Sequence, residues 1–285
     1  MVRISELVSY PIKGCAGVTW EGARLGPAGL PHDRAFMVTD AAGDHRTQRA
    51  DPRLALARPS LTEDGARLTL TAPGFDPVTV PVDASGPARP VTLFGAPFTG
   101  IDQGAVAARW FSELLGRPSR LVRVPADHRR VTDGLTPGTS GYADSSAVLV
   151  VSRASLAALN ERLAARGEPP LPMDRFRPNV VLDEVAAPHE EDDYRALTLG
   201  GARLGFAKLA VRCAVVLVDQ RTGVRAGPEP LRTLAGYRRH PAGGVVFGAK
   251  FSVVTPGWLA VGDRPTDLVR APDAPACAAS GTMAR

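Results

Sequence analysis

The feature that most constrains this chain is its punctuation. Across 285 residues, 29 glycines and 26 prolines cut the apolar runs into pieces the length of strands. In the N-terminal part the sequence predicts strands over Ile4–Tyr10, Val18–Leu25, Arg34–Thr39, Ala66–Leu70, Val78–Val82 and Val91–Phe94. Asp40-Ala41-Ala42-Gly43-Asp44 and Glu63-Asp64-Gly65 read as turns, because glycine supplies the positive φ a hairpin needs. One helix is expected over Gly104–Leu115, capped by Asp102 and ended by Gly116. Val106, Trp110 and Leu114, with Phe111 and Leu115, give it a single apolar stripe.

After a Gly/Thr/Pro-rich loop, Thr132–Gly141, the run Ala147–Val151 is apolar throughout, as buried strands are. Ser152 is placed to cap a second helix through Ala165, with Leu156, Leu159 and Leu163 on one face. Three prolines in Glu168–Pro172 enforce an extended loop. Strands are then expected at Asn179–Leu182, Ala196–Leu199, Ala202–Phe206, Cys213–Val218, Phe251–Val254 and Leu259–Val261, interrupted by a short helix over Glu229–Arg238. From Ala271 onward the Ala/Ser/Gly-rich composition predicts a disordered tail.

Composition removes several function classes. The charge of +5 is not gathered into runs, and 6% aromatics do not interleave with cations as in single-strand binders, so nucleic acid is not an expected partner. No apolar stretch approaches the ~20 residues of a membrane span, and the N-terminus opens without a continuous apolar segment, so neither export nor membrane embedding is expected. Three cysteines without a CxxC pair argue against a disulfide scaffold, a thiolate zinc site or an integral iron–sulfur cluster, and they fit a reducing cytoplasm. The five histidines lie apart, and the chain carries no Gly-x-Ser-x-Gly elbow, Walker loop or dinucleotide fingerprint.

The residues with chemical potential are Cys213 beside Arg212, and a set of cations next to strands. A thiolate is a soft ligand, and an adjacent guanidinium favours its anionic form. Against this, a cysteine in an apolar run is commonly a small buried hydrophobe. Lys13, Arg34, Arg175 and Arg177 suit a buried dianion, with Arg175 as well placed to face solvent. Asn179 offers amide hydrogen bonds to a ligand, whereas Asn160, mid-helix, reads as structural. Asp219 with Thr222-Gly223 reads as a turn, and the acidic run Glu190–Asp193 as a solvated loop.

Taken in order, these segments resemble the MOSC family with its N-terminal β-barrel domain. The resemblance rests on Ser9–Cys15, His32–Val38, Tyr142–Ser146, Ser155–Asn160, Arg175–Val181, Arg212-Cys213, Asp219–Gly223, Pro230–Leu234, Tyr237-Arg238, Phe247-Gly248 and Val261–Asp263. It implies an α+β, predominantly β fold: an N-terminal β-barrel-like domain over 1–120 packed on a β-barrel-like MOSC domain over 121–270, with a few helices and the tail 271–285. It further implies a molybdenum cofactor, the metal held by a pyranopterin dithiolene and by Cys213. Lys13, Arg34 and Arg177 would contact the pterin or its phosphate, with Ser145, Ser146, Asn179 and Arg212 beside them. Gly14 and Ala210 depart from the amidoxime reductase pattern, which has serine and often a second cysteine there.

The activity so implied is reduction of N-hydroxylated or N-oxide-type compounds by oxygen-atom removal. Electrons would come from a separate ferredoxin, flavoprotein or cytochrome b5-like partner. Two alternatives stay open: a sulfurtransferase or sulfur carrier working through a Cys213 persulfide, and a non-catalytic cofactor-binding protein.

Overall fold

The structure, a computed structural model, describes residues 1–271. Of the predicted tail, residues 272–285 lie outside the described residues. Strands dominate, with α-helices at Gly104–Leu115, Arg153–Ala164 and Leu231–Leu234.

The largest sheet has eight strands in the order Pro265–Arg270, Tyr194–Leu199, Ala202–Arg212, Val245–Thr255, Val148–Ser152, Val180–Asp183, Arg3–Ser9 and Val18–Trp20. Only Val148–Ser152 and Val180–Asp183 run parallel within it, joined through the helix Arg153–Ala164. That crossover explains why both strands are apolar without alternation: one face meets the helix and the other the core. Ile4, Leu7, Val148, Val150, Val180, Leu182 and Phe251 fill that core.

A four-stranded sheet, Phe36–Thr39, Arg120–Arg123, Ala96–Asp102 and Ala88–Leu93, and a three-stranded one, Arg58–Leu61, Arg67–Ala72 and Phe75–Pro81, form the other half. The helix Gly104–Leu115 closes them with Ala107, Trp110, Phe111 and Leu114 buried, while Val106 is exposed. Gln103 is its N-cap by backbone, and Asp102 accepts from the Gly104 N–H at 2.8 Å. Gly116 ends it in the left-handed region.

The two cores are not divided where the chain is. Arg3–Ser9 pairs with Val180–Asp183 and extends the large sheet, and Gly22–Leu25 pairs with Gly257–Ala260 in a separate two-stranded sheet, before the chain crosses to the other half. Among the described residues no helix is long and apolar enough to cross a membrane.

Three expectations fail for physical reasons. The run Cys213–Val218 is not a strand: Ala202–Arg212 ends at Arg212, and Ala214–Leu217 coils into a 3-10 turn before a short strand at Val218–Asp219. The acidic run Glu190–Asp193 is not a solvated loop. Glu191 is fully buried and accepts from the Ser152 N–H and Ser155 Oγ, and Glu190 from the N–H groups of Ala186 and Ala187. Arg175 faces neither a ligand nor solvent, but is buried against the Val216 carbonyl and Asp219.

Candidate functional site

Two loops laid side by side begin the site. Pro11, lacking an N–H, ends the first strand's pairing, and the chain then turns at Gly14, where φ is +82°. The Lys13 N–H donates to the Phe36 carbonyl, Phe36 to Pro11, and Arg34 to Tyr10, all within 2.8 to 2.9 Å. This backbone lattice brings Lys13 and Arg34 to one cleft. Gly141 closes the rear: a Cβ there would lie 2.5 Å from the Arg34 carbonyl oxygen, to which Tyr142 donates.

From the C-terminal half, the turn Met173–Arg175 leads to Arg177 and Asn179, whose N–H donates to the Leu149 carbonyl. The end of Ala202–Arg212 delivers Arg212 and Cys213, and Val245–Thr255 delivers Lys250. The resulting cleft encloses about 920 Å3 of space open to solvent, and Lys13, Arg34, Ser145, Ser146, Asn179, Arg177, Arg212 and Cys213 all line it.

Its charge is one-sided. Lys13, Arg34, Arg49, Arg177, Arg212 and Lys250 line the cleft against one carboxylate, Asp144. Asp144 pairs with Lys13. Burial alone would raise its pKa, but Lys13, Lys250 and Arg34 outweigh that and hold it well below the usual carboxylate range. Burial, reinforced by neighbouring cations, lowers the pKa of Lys13 and Arg177, pushes Arg212 down to about 10 and pushes Lys250 down to about 8. Convergent cations facing a single carboxylate give the cleft the electrostatics suited to an anionic group.

Asp33 organises the deepest part. It accepts from the Tyr10 N–H at 2.8 Å, from Asn179 Nδ2 at 2.9 Å and from Arg34 Nη1 at 2.7 Å. Asn179 Oδ1 accepts in turn from Arg34 Nη1 and the Leu149 N–H, and its Nδ2 also donates to the Val8 carbonyl. Every hydrogen-bonding position of that amide is therefore engaged inside the protein. Asn179 lines the cleft as the residue that positions Arg34, not as a free donor. The Arg34 and Arg177 guanidiniums pack on the Tyr10 ring, 4.4 and 4.2 Å from its centroid. Both residues have positive φ, +49° and +56°.

Other groups remain unsatisfied. Ser146 Oγ and Arg212 Nε are buried without partners, although Arg212 Nη2 donates to the Phe176 carbonyl at 2.8 Å. Ser145 Oγ accepts from Lys250 Nζ at 2.8 Å. Cys213 is half-buried at the head of its 3-10 turn, unlike Cys15, which is sealed in the N-terminal core with its thiol pushed up to about 12 by burial. The buried-hydrophobe reading thus describes Cys15, and among the described residues Cys213 is the accessible thiol. Among the described residues no three His, Cys, Asp or Glu side chains gather as a metal site.

Lys250, Arg49 and Gln48 were not singled out from sequence. Lys250 sits in an apolar strand, where only the register against Leu149 aims it at the cleft. Gln48 crosses the seam to exchange hydrogen bonds with Gln220 at 2.9 and 3.0 Å, a pairing of residues that local sequence does not connect.

Comparison with known proteins agrees with this architecture. Residues 1–118 match the MOSC N-terminal beta barrel domain and residues 137–266 the MOSC domain. The chain is 33% identical over 287 residues to mitochondrial amidoxime reducing component 2 of Bos taurus, covering 94% of this chain and 83% of that protein. It is 32% identical over 280 residues to mitochondrial amidoxime-reducing component 1 of Homo sapiens, covering 91% and 81%. A molybdenum cofactor sulfurase of Danio rerio is 30% identical over 263 residues, covering 86% of this chain but 31% of the sulfurase. Two matching domains in order, together with amidoxime-reducing relatives aligned over 83% and 81% of their length, show that this chain belongs to the MOSC-domain family and is a homologue of the amidoxime-reducing components.

Proposed function

We propose that the chain is a molybdenum-cofactor-dependent oxidoreductase that reduces N-hydroxylated or N-oxide-type compounds. The observation that carries this reading is the half-buried thiol of Cys213 in a cleft lined by six cations. The donor set fits the group: a soft thiolate for a sulfur-ligated metal, convergent guanidinium and ammonium for a phosphate, and two buried polar atoms, Ser146 Oγ and Arg212 Nε, that lack partners.

In this reading Cys213 ligates the metal, with Arg212 lining the cleft beside it. Lys13, Arg34 and Arg177 hold the pterin and its phosphate, Ser145 and Ser146 supply hydroxyls, and Asn179 and Asp33 fix Arg34. When bound, the cofactor supplies two-electron oxygen-atom chemistry. Overall, the N–O bond is cleaved with two electrons and two protons, giving the reduced nitrogen compound and water. The protein's part is to bind the anionic cofactor, orient the thiolate and hold substrate in the cleft. Electrons come from a separate ferredoxin, flavoprotein or cytochrome b5-like protein. Cysteine usage supports a cytoplasmic setting, whereas the amidoxime-reducing relatives are named as mitochondrial.

The test is elemental analysis of purified protein with turnover of an amidoxime by a chemical electron donor. Molybdenum near one per chain with turnover is expected, and Cys213→Ser should lower turnover by more than about a hundredfold, since even groups that only orient metal ligands cost 10- to 100-fold. A Cys213 persulfide without molybdenum would replace this reading with sulfur transfer. Molybdenum without turnover on any N-hydroxylated compound would leave a cofactor-binding protein.

A further inference from the structure

The hairpin formed by Ala88–Leu93 and Ala96–Asp102 turns through Phe94 and Gly95, with φ of +54° and +79°. A two-residue turn with both residues left-handed ordinarily takes Asn or Asp before Gly. Phe94 breaks that preference with a bulky ring in a strained conformation, and it is 46% exposed. Both anomalies fall in the cleft that holds Cys213, which Phe94 lines. The ring is held there by His45, edge-on at 4.7 Å between centroids, and by Lys13 Nζ at 4.8 Å from its centroid. Val211, two residues before Cys213 and 47% exposed, lines the same cleft from the C-terminal half. Exposed apolar side chains from both halves thus flank a cationic interior.

We propose that Phe94 is a specificity-determining residue: with Val211 it forms an apolar lip that takes the aromatic body of the substrate while the N–O head points inward to Cys213. The inference rests on the reductase reading above. It selects substrates with an aromatic or extended apolar body over small polar ones, because covering Phe94 removes apolar surface from water only when such a body is present.

Phe94→Asn tests it without threatening the fold, since Asn-Gly is the preferred pair for this turn. Benzamidoxime and acetamidoxime share the reacting head and differ in the body. In the holoenzyme variant, the benzamidoxime-to-acetamidoxime ratio of kcat/KM should fall about tenfold, chiefly through KM. Phe94→Trp should retain the wild-type preference, and Val254→Ser, exposed and outside the cleft, should leave the ratio as it is. Calorimetric titration of the same proteins with benzamidine and acetamidine reads the preference without turnover. An unchanged ratio, or an equal loss on both bodies, overturns the lip. If neither amidoxime is reduced by wild type while benzamidine is still preferred and Phe94→Asn abolishes that preference, the lip stands and the reductase reading falls. Absence of any calorimetric preference in wild type overturns the lip as well.

Discussion

Arg34 shows how much of the cleft depends on single side chains. Its guanidinium is aimed by Asp33, whose carboxylate is almost fully buried and, among the described residues, has no other cation in salt-bridge contact. Asp33→Asn would remove the charge partner of the part-buried Arg34; removing one member of a fully buried pair typically costs about 3–5 kcal/mol, and less where the remaining charge reaches solvent. We therefore expect a loss below that range in denaturant unfolding, together with weakened cofactor retention, whereas Asp64→Asn on an exposed turn should do neither.

Lys250 makes a prediction about pH. Burial and neighbouring cations lower its folded-state pKa to about 8 from an ordinary 10.5. Between those values the folded, cofactor-free protein binds fewer protons than the unfolded chain, so this residue's contribution makes stability rise with pH across that window. Below about pH 8 its full destabilising effect is present. The Tm of cofactor-free wild type should gain on that of Lys250→Met from pH 8 to pH 10, and cofactor binding, by adding negative charge, should flatten the difference. A constant difference across that range would contradict the electrostatic account.

At the scale of elements, the buried Glu191 carboxylate ties the start of the helix Arg153–Ala164 to the 3-10 turn Glu190–Asp192 in which it lies. It satisfies the Ser152 N–H and Ser155 Oγ, while Ser152 Oγ caps the helix by accepting from the Ser155 N–H. Glu191→Ala should cost about 1–3 kcal/mol by leaving buried donors unpaired, measurable as a shift in the urea midpoint. The helix itself was legible, because Ser152 and the leucine stripe both act locally. Glu191 was not, since a charge run reads as solvated unless its partners, some 36 to 39 residues away, are known. The same holds for Cys213–Val218, whose apolar character suggests a strand. Its partner strand begins at Val245, opposite Arg212, so the ladder stops there and the cysteine is turned toward the cleft. The strands Arg58–Leu61, Ala96–Asp102 and Arg120–Arg123 were missed because proline or charge interrupts their apolar pattern. Motifs such as Lys13, Arg34 and Arg177 could be named from sequence, but their convergence depends on long-range pairing.

At the scale of the molecule, the site lies along a seam that the chain stitches twice. Arg3–Ser9 covers the edge of Val180–Asp183 and fills the C-terminal core with Ile4 and Leu7. A fragment of residues 121–270 should therefore fail to fold alone, lacking two strands of the large sheet, Arg3–Ser9 and Val18–Trp20, and exposing the edge of Val180–Asp183. Gel filtration and circular dichroism would check this, and supplying residues 1–120 in trans should restore order. A well-folded isolated fragment would show that the opening strands are dispensable. The same stitching makes the cleft a property of the whole chain, since Lys13 and Arg34 come from one part and Arg177, Arg212 and Cys213 from the other.

The central claim is that the Cys213 sulfur binds a molybdenum held in this seam. X-ray absorption at the molybdenum edge measures it directly. The account predicts that Cys213→Ser, still loaded through its cationic cleft, loses one sulfur neighbour of the metal relative to wild type. An unchanged sulfur shell in the variant, or purified wild type with no molybdenum edge at all, would contradict it.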